Sequence, residues 1–85
     1  MFTYNISKNA DIKVFAGICS FIESNINIEK REDCLIDVDG SQVQIYKTAE
    51  GNIKVFNDYE VDAVYIDSEV DLYDILVGFG CGSVS

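Results

Sequence analysis

The chain contains no histidine, no proline and no tryptophan, and only three cysteines. Without histidine, the usual general base near neutral pH and the commonest metal ligand are both missing. Cys19, Cys34 and Cys81 stand at unrelated spacings with no C-x-x-C pair, which argues against a zinc site and against a disulfide framework. Cys19 and Cys34 fall on faces that read as buried, where thiols behave as small hydrophobes. Cys81, in "GFGCGSVS", is expected to be exposed, with no Lys, Arg or His close by to lower its pKa. Without proline there is no Pro-rich linker, and no repeat or low-complexity tract interrupts the chain. Apolar runs reach only a few residues, far short of the ~20 that span a bilayer. "MFTYNISKN" shows no apolar run behind a basic start. The expectation is a cytoplasmic protein of one domain, residues 1–85, with a flexible tail from about 80 to 85.

Acidic side chains are what the chain has in abundance. Its 85 residues carry a net charge of −9, and that charge is uneven. Residues 1–31 set Lys8, Lys13, Lys30 and Arg31 against Asp11, Glu23 and Glu29, a net of +1. Residues 32–85 set twelve acids against Lys47 and Lys54, a net of −10. Such a field repels nucleic acid and anionic lipid, attracts basic surfaces, and works against the compact state by self-repulsion.

The hydropathy pattern predicts an α+β fold. "FTYNIS" alternates Phe2, Tyr4 and Ile6 with polar residues, as a strand does. Asn9 can cap a helix running to about Asn27, whose buried stripe holds Phe15, Ile18, Cys19, Ile22 and Ile26. "NIEKRED" reads as a polar connection. "CLIDVDGSQVQIYKTAEGNIKVF" reads as a three-stranded meander with Cys34, Ile36, Val38, Val43 and Ile45 facing the core. "DGSQ" supplies its first turn, and a three-residue loop Ala49-Glu50-Gly51 its second, pairing Ile45 with Val55. "DYEVDAVYID" is a further strand or a bent pair. "SEVDLYDILVGFG" opens with Ser68 and Asp71 as a capping box and ends at Gly78 or Gly80. The order is β-α-β-β-β-(β)-α: a mostly antiparallel sheet of four to five strands with two helices on one face. The other face is left solvated, with Leu35, Tyr46 and Phe56 on it.

No catalytic arrangement emerges. No Ser or Cys has an activating base in view, no Walker or G-x-G-x-x-G pattern occurs, and so short a chain has little room for the cleft that paired carboxylates would need. "DVDG" fails as a calcium loop, because Leu35 and Tyr46 stand where the first and twelfth ligands belong. No enzyme activity, cofactor or metal is therefore expected.

"NDYEVDAVYIDSEVDLYD", residues 57–74, holds seven acids and no base. As a strand it places Asp58, Glu60 and Asp62 on one face, about 6.6 Å apart, with Tyr59, Val61 and Ala63 on the other. Asp67 and Glu69 meet the positive end of the last helix, and Asp71 and Asp74 extend the charge along it. Unbalanced like charges on a strand cost stability. Edge protection explains them; so does binding. In the binding reading, Asp58, Tyr59, Glu60, Asp62, Asp67, Glu69, Asp71 and Asp74 form a ribbon that stands in for a phosphate backbone in a Lys/Arg-lined groove. Tyr46, Tyr59 and Tyr65 would serve as anchors.

In length, acidity, helix–meander–helix layout and Ile/Asn/Asp/Tyr-rich composition the chain resembles the small acidic inhibitors that phages make against nucleic-acid-handling defence enzymes, the anti-CRISPR and anti-restriction proteins. That resemblance implies a viral protein, acting in the host cytoplasm as a stoichiometric inhibitor of a basic, nucleic-acid-binding enzyme without itself binding nucleic acid or membrane. Two other readings compete: an immunity or antitoxin protein that neutralises a basic toxin, and a non-catalytic module that forms a homodimer through the open sheet face.

Overall fold

The computed structural model describes residues 2–77; the expected flexible tail and Cys81 lie outside them. The elements are β1 (Phe2–Ser7), α1 (Ile12–Asn25), β2 (Lys30–Arg31), β3 (Leu35–Ile36), β4 (Gln42–Thr48), β5 (Gly51–Asp58), β6 (Ala63–Ser68) and α2 (Tyr73–Val77). All strand pairs are antiparallel, in the order β1-β6-β5-β4-β2, with β3 also on β4. The α+β class and its one-sided helix packing follow the hydropathy pattern. The sheet has six strands rather than four to five, two of them only two residues long.

Helix α1 forms where the periodicity put it. Its cap is Asp11 rather than Asn9, with Oδ1 accepting from the Lys13 and Val14 N–H groups, which satisfies two of the donors a helix start leaves orphaned. Phe15, Ile18, Cys19 and Ile22 are buried, each such side chain contributing roughly 1.5–3 kcal/mol. They join Tyr4, Ile6, Tyr46, Ile53, Val55, Val64, Ile66, Leu72 and Leu76 in one core.

The meander's phase is inverted at β4. Gln44 and Tyr46 face the helices, while Val43 and Ile45 are only half-buried on the open side. β4 and β5 join through a two-residue turn, Ala49-Glu50, so that Thr48 pairs with Gly51 and Gln44 with Val55. That is one residue away from the expected Ile45–Val55 pair, and a slip of one exchanges the two faces of a strand. Tyr46 wins the interior because its ring has more apolar area to bury than Ile45, while its hydroxyl donates to a Glu23 carboxylate oxygen at the helix surface. The Gln44 amide is satisfied by the Glu32 carbonyl. Cys34, Ile36 and Val38 are exposed, since β3 ends after two residues and does not continue through Val38.

Gly51 is required at its position. Its φ is +146°, and an added Cβ would sit 2.7 Å from the Glu69 Cβ. Glu69 is that close because it clamps Asn52 twice: its N–H donates to the Asn52 carbonyl, and its Oε1 accepts from the Asn52 N–H, both at 2.9 Å. Gly51→Ala should lower stability by more than about 1 kcal/mol, read as a reduced urea midpoint at unchanged m-value.

The last helix starts later than expected, at Tyr73 instead of directly after a Ser68 cap, and its expected stop at Gly78 or Gly80 lies outside the described residues. Ser68 is buried as the final residue of β6, its Oγ bonded to the Val70 backbone. Asp71 instead opens α2, accepting from the Tyr73 N–H. No helix among the described residues is long and apolar enough to cross a membrane.

Candidate functional site

In an antiparallel meander every second connection falls at the same end of the sheet. The β3–β4 loop, residues 37–41, and the β5–β6 loop, Tyr59 to Asp62, therefore meet. The Tyr59 N–H donates to Ser41 Oγ at 2.9 Å, and the Tyr59 ring lies against Gly40, 3.6 Å from where a Cβ would stand. Residues 59–62 are thus a turn and not a strand, which corrects the placement of Asp58, Glu60 and Asp62 on one strand face. Tyr59 and Val61, expected inside, are exposed.

Each acid of this turn region has its own direction. Asp58 Oδ1 accepts from the Glu60 and Val61 N–H groups and closes the turn; its Oδ2 accepts from the Tyr65 hydroxyl at 3.4 Å. Asp62 adopts a left-handed φ of 55°. Its carboxylate reaches the lead-in to α1, accepting from the Ala10 N–H at 2.8 Å and Asn9 Nδ2 at 3.1 Å. Glu60 is exposed.

The remaining acids of the expected ribbon lie at the far end of β6, Asp67 within the strand and the others past it, and the six residues of β6 put roughly 17 Å between its ends. Asp67 accepts from the Thr3 hydroxyl at 2.8 Å, Glu69 clamps Asn52, and Asp71 accepts from the Tyr4 hydroxyl at 3.0 Å. Asp74 is exposed on α2. The ribbon is therefore two groups, Asp58 to Asp62 at one end of β6 and Asp67 to Asp74 at the other.

Among the described residues, none of these acids is in an ion pair with the chain's own cations. All three ion pairs among the described residues, Lys30 and Lys47 with Glu32 and Arg31 with Glu23, lie at the β2 edge. The partners of Asp58, Asp62, Asp67, Glu69 and Asp71 are N–H and O–H donors. The Ala10 N–H and then the Asn9 amide hold Asp62 below the usual carboxylate range. Ser41, through its N–H and then its hydroxyl, does the same for Asp39. Burial, followed by the nearby charges of Asp58 and Asp67, raises the Tyr65 phenol.

The open face carries a cross-strand row Leu35–Val43–Phe56–Tyr65. The Phe56 and Tyr65 rings are stacked, their centroids 4.7 Å apart and their planes 13° apart. Tyr46, expected on this face, is wholly buried on the other. Where the row meets the two loops a groove of about 450 Å³ opens. Apolar Leu35, Phe56 and Tyr65 border it together with Asp37, Asp39, Asp58 and Glu60. Asp37, Asp39 and the exposed Ile36 and Val38 were not among the expected site residues, whereas Leu35 lies on the open face where it was expected. The density of acids in "DVDG", combined with the alternation of connections in a meander, was the signal that pairs this turn with the next but one.

The carboxylates ring the groove instead of converging: among the described residues no three acidic or thiol groups come together as a metal site. No family model, curated protein or solved structure matches the chain. Fold and site together describe a small antiparallel α+β scaffold whose acids between Asp58 and Asp74 form no ion pair among the described residues.

Proposed function

We propose that the protein is a non-catalytic inhibitor that binds a basic, nucleic-acid-handling enzyme in the cytoplasm and occupies the surface where a phosphate backbone would lie. A phage-type anti-defence role, anti-CRISPR or anti-restriction, suits that chemistry, and neutralisation of a basic toxin uses the same contacts. One observation carries the reading: residues 57–74 hold seven acids, and none of them is in an ion pair among the described residues. The self-repulsion this leaves is relieved when cations from a partner arrive. Their spacing, two groups about 17 Å apart along β6, suits a groove that normally tracks several phosphates.

The experiment is competition between this protein and a labelled duplex for a nucleic-acid-handling enzyme of the source cell, run from 50 to 200 mM salt. Displacement that weakens by orders of magnitude over that range is the expected result. Displacement insensitive to salt, or binding that leaves the duplex in place, overturns the proposal. Charge reversal belongs at Glu60 and Asp74, whose carboxylates hold no loop together. Reversal at Asp58 or Asp62 would remove turn-closing acceptors and confound folding with binding. Glu60→Lys with Asp74→Lys should weaken displacement at least tenfold while the urea midpoint stays within the range of surface substitutions, about ±0.5 kcal/mol each.

A second reading rests on the stacked Phe56 and Tyr65 of the open face. Covering that row with a second copy would make the chain a homodimeric assembly module. Light scattering at micromolar concentration separates the two, a monomer counting against the module.

A further inference from the structure

Resting on the basic-partner reading, we propose that the groove between the two hairpin loops seats an arginine side chain of the partner, its guanidinium against the Phe56–Tyr65 stack and within the ring of Asp37, Asp39, Asp58 and Glu60. The chemistry of the lining selects that occupant. An apolar ligand would leave four carboxylates facing it without a counter-charge. A metal ion needs converging oxygens, and these are spread round a rim among the described residues. A second copy of the chain docking by the same surface would bring two such rims together, eight carboxylates with no cation between them. A flat cation is what remains, and its face and its N–H edge match two features of the site.

An aromatic ring attracts a cation over its face, and a planar guanidinium stacks there as an ammonium does not. Carboxylates at the rim accept its N–H donors in paired fashion, which a lysine cannot reproduce. Asp39 is held ionised by Ser41, and the Tyr65 hydroxyl lies 3.4 Å from Asp58 Oδ2, so aromatic and anionic parts share one location. Exposed Leu35 and Ile36 line it, and Val38, Tyr59 and Val61 of the same two loops are exposed as well, which suits a partner segment that alternates basic and apolar residues. The exposed apolar residues would form the dry surround and the groove its anchor point, the usual division in a protein interface.

The test uses the full chain, 15N-labelled, titrated with capped tetra-arginine and tetra-lysine peptides at equal low salt. Tetra-arginine is expected to bind at least threefold tighter, with the largest amide shifts at residues 35–41 and 56–65. Glu60→Lys should weaken it at least tenfold. Phe56→Leu keeps an apolar side chain but no π face; it should abolish the preference for arginine while leaving tetra-lysine binding in place. Equal binding of the two peptides, shifts centred on residues 67–74, or concentration-dependent shifts at the groove without peptide would each overturn the arginine site. The first two would leave the basic-partner reading standing. Loss of salt-dependent competition with duplex would remove that reading itself, so the two failures are told apart.

Discussion

Tyr46→Ala should cost about 3–5 kcal/mol, the range for deleting a buried aromatic side chain. Ile45→Ala, one residue away, should cost less than about 2 kcal/mol. The difference arises because Tyr46 is 0% exposed among the core residues, whereas Ile45 is half-buried on the open face. A domain of 85 residues holds roughly 4–13 kcal/mol in total, so the tyrosine variant should be largely unfolded in mild urea. Tyr46→Phe separates the ring from the hydroxyl. It removes the bond donated to Glu23, and because that carboxylate is partly exposed the loss should fall near the low end of the range for bonds to charged groups, about 1.5 kcal/mol. Urea midpoints for the three variants check the series. A costlier Ile45→Ala would mean that β4 presents its other face to the core.

The second large effect is alkaline instability. Burial, and then the neighbouring Glu23 carboxylate, pushes the Tyr46 phenol well above its ordinary value of 10.0. Burial likewise raises Cys19 from 9.0 to about 11, and burial is also the main cause of the rise at Tyr4. In each case the folded state keeps its proton at a pH where the unfolded chain releases it. Their contribution to stability is therefore complete below pH 9 and falls as pH climbs through 9 to 11 and beyond. Each unit of difference corresponds to about 1.4 kcal/mol, so Cys19 contributes on the order of 3 kcal/mol and the two tyrosines add to the loss at higher pH. With urea held just below the neutral-pH midpoint, circular dichroism from pH 7 to 12 should show a cooperative loss beginning near pH 9. In Cys19→Ala the onset should move toward pH 10, where only the tyrosines titrate. Added salt should not restore the fold, because screening relieves surface repulsion and not the ionisation of a buried group. A flat profile to pH 12 would contradict the burial of these groups.

Periodicity made α1 legible, down to four of its buried residues, because a stripe at 3.6-residue spacing admits one inward face. β4 was not legible in the same way. Both of its faces offer apolar residues, Val43 and Ile45 on one and Tyr46 on the other, and what decides between them is a long-range event: whether the hydroxyl and amide tips of Tyr46 and Gln44 find acceptors at Glu23 and Glu32. The site shows the same contrast. The acids of residues 57–74 could be counted from the sequence, but an alternating pattern cannot reveal that Asp58 folds back on its own turn, nor that Asp62 reaches across to Asn9 and Ala10. Those bonds bring together residues up to 53 positions apart. Asp37 and Asp39 joined the site only through topology, since their loop is distant in sequence from Glu60 and becomes its neighbour when β4 and β5 run back and forth.

Asp58 and Asp62 serve as anions and as pegs for their loops with the same oxygen atoms. Genetic drift meets those two roles differently along the chain. At Glu60 or Asp74 a mutation can discard charge and leave the architecture whole. At Asp58 and Asp62 both carboxylate oxygens accept hydrogen bonds, which the single oxygen of an asparagine cannot reproduce, so much of the negative character is locked in by the folding of the loops themselves. The acidic tip is thereby inherited with the fold, whether or not anything binds it.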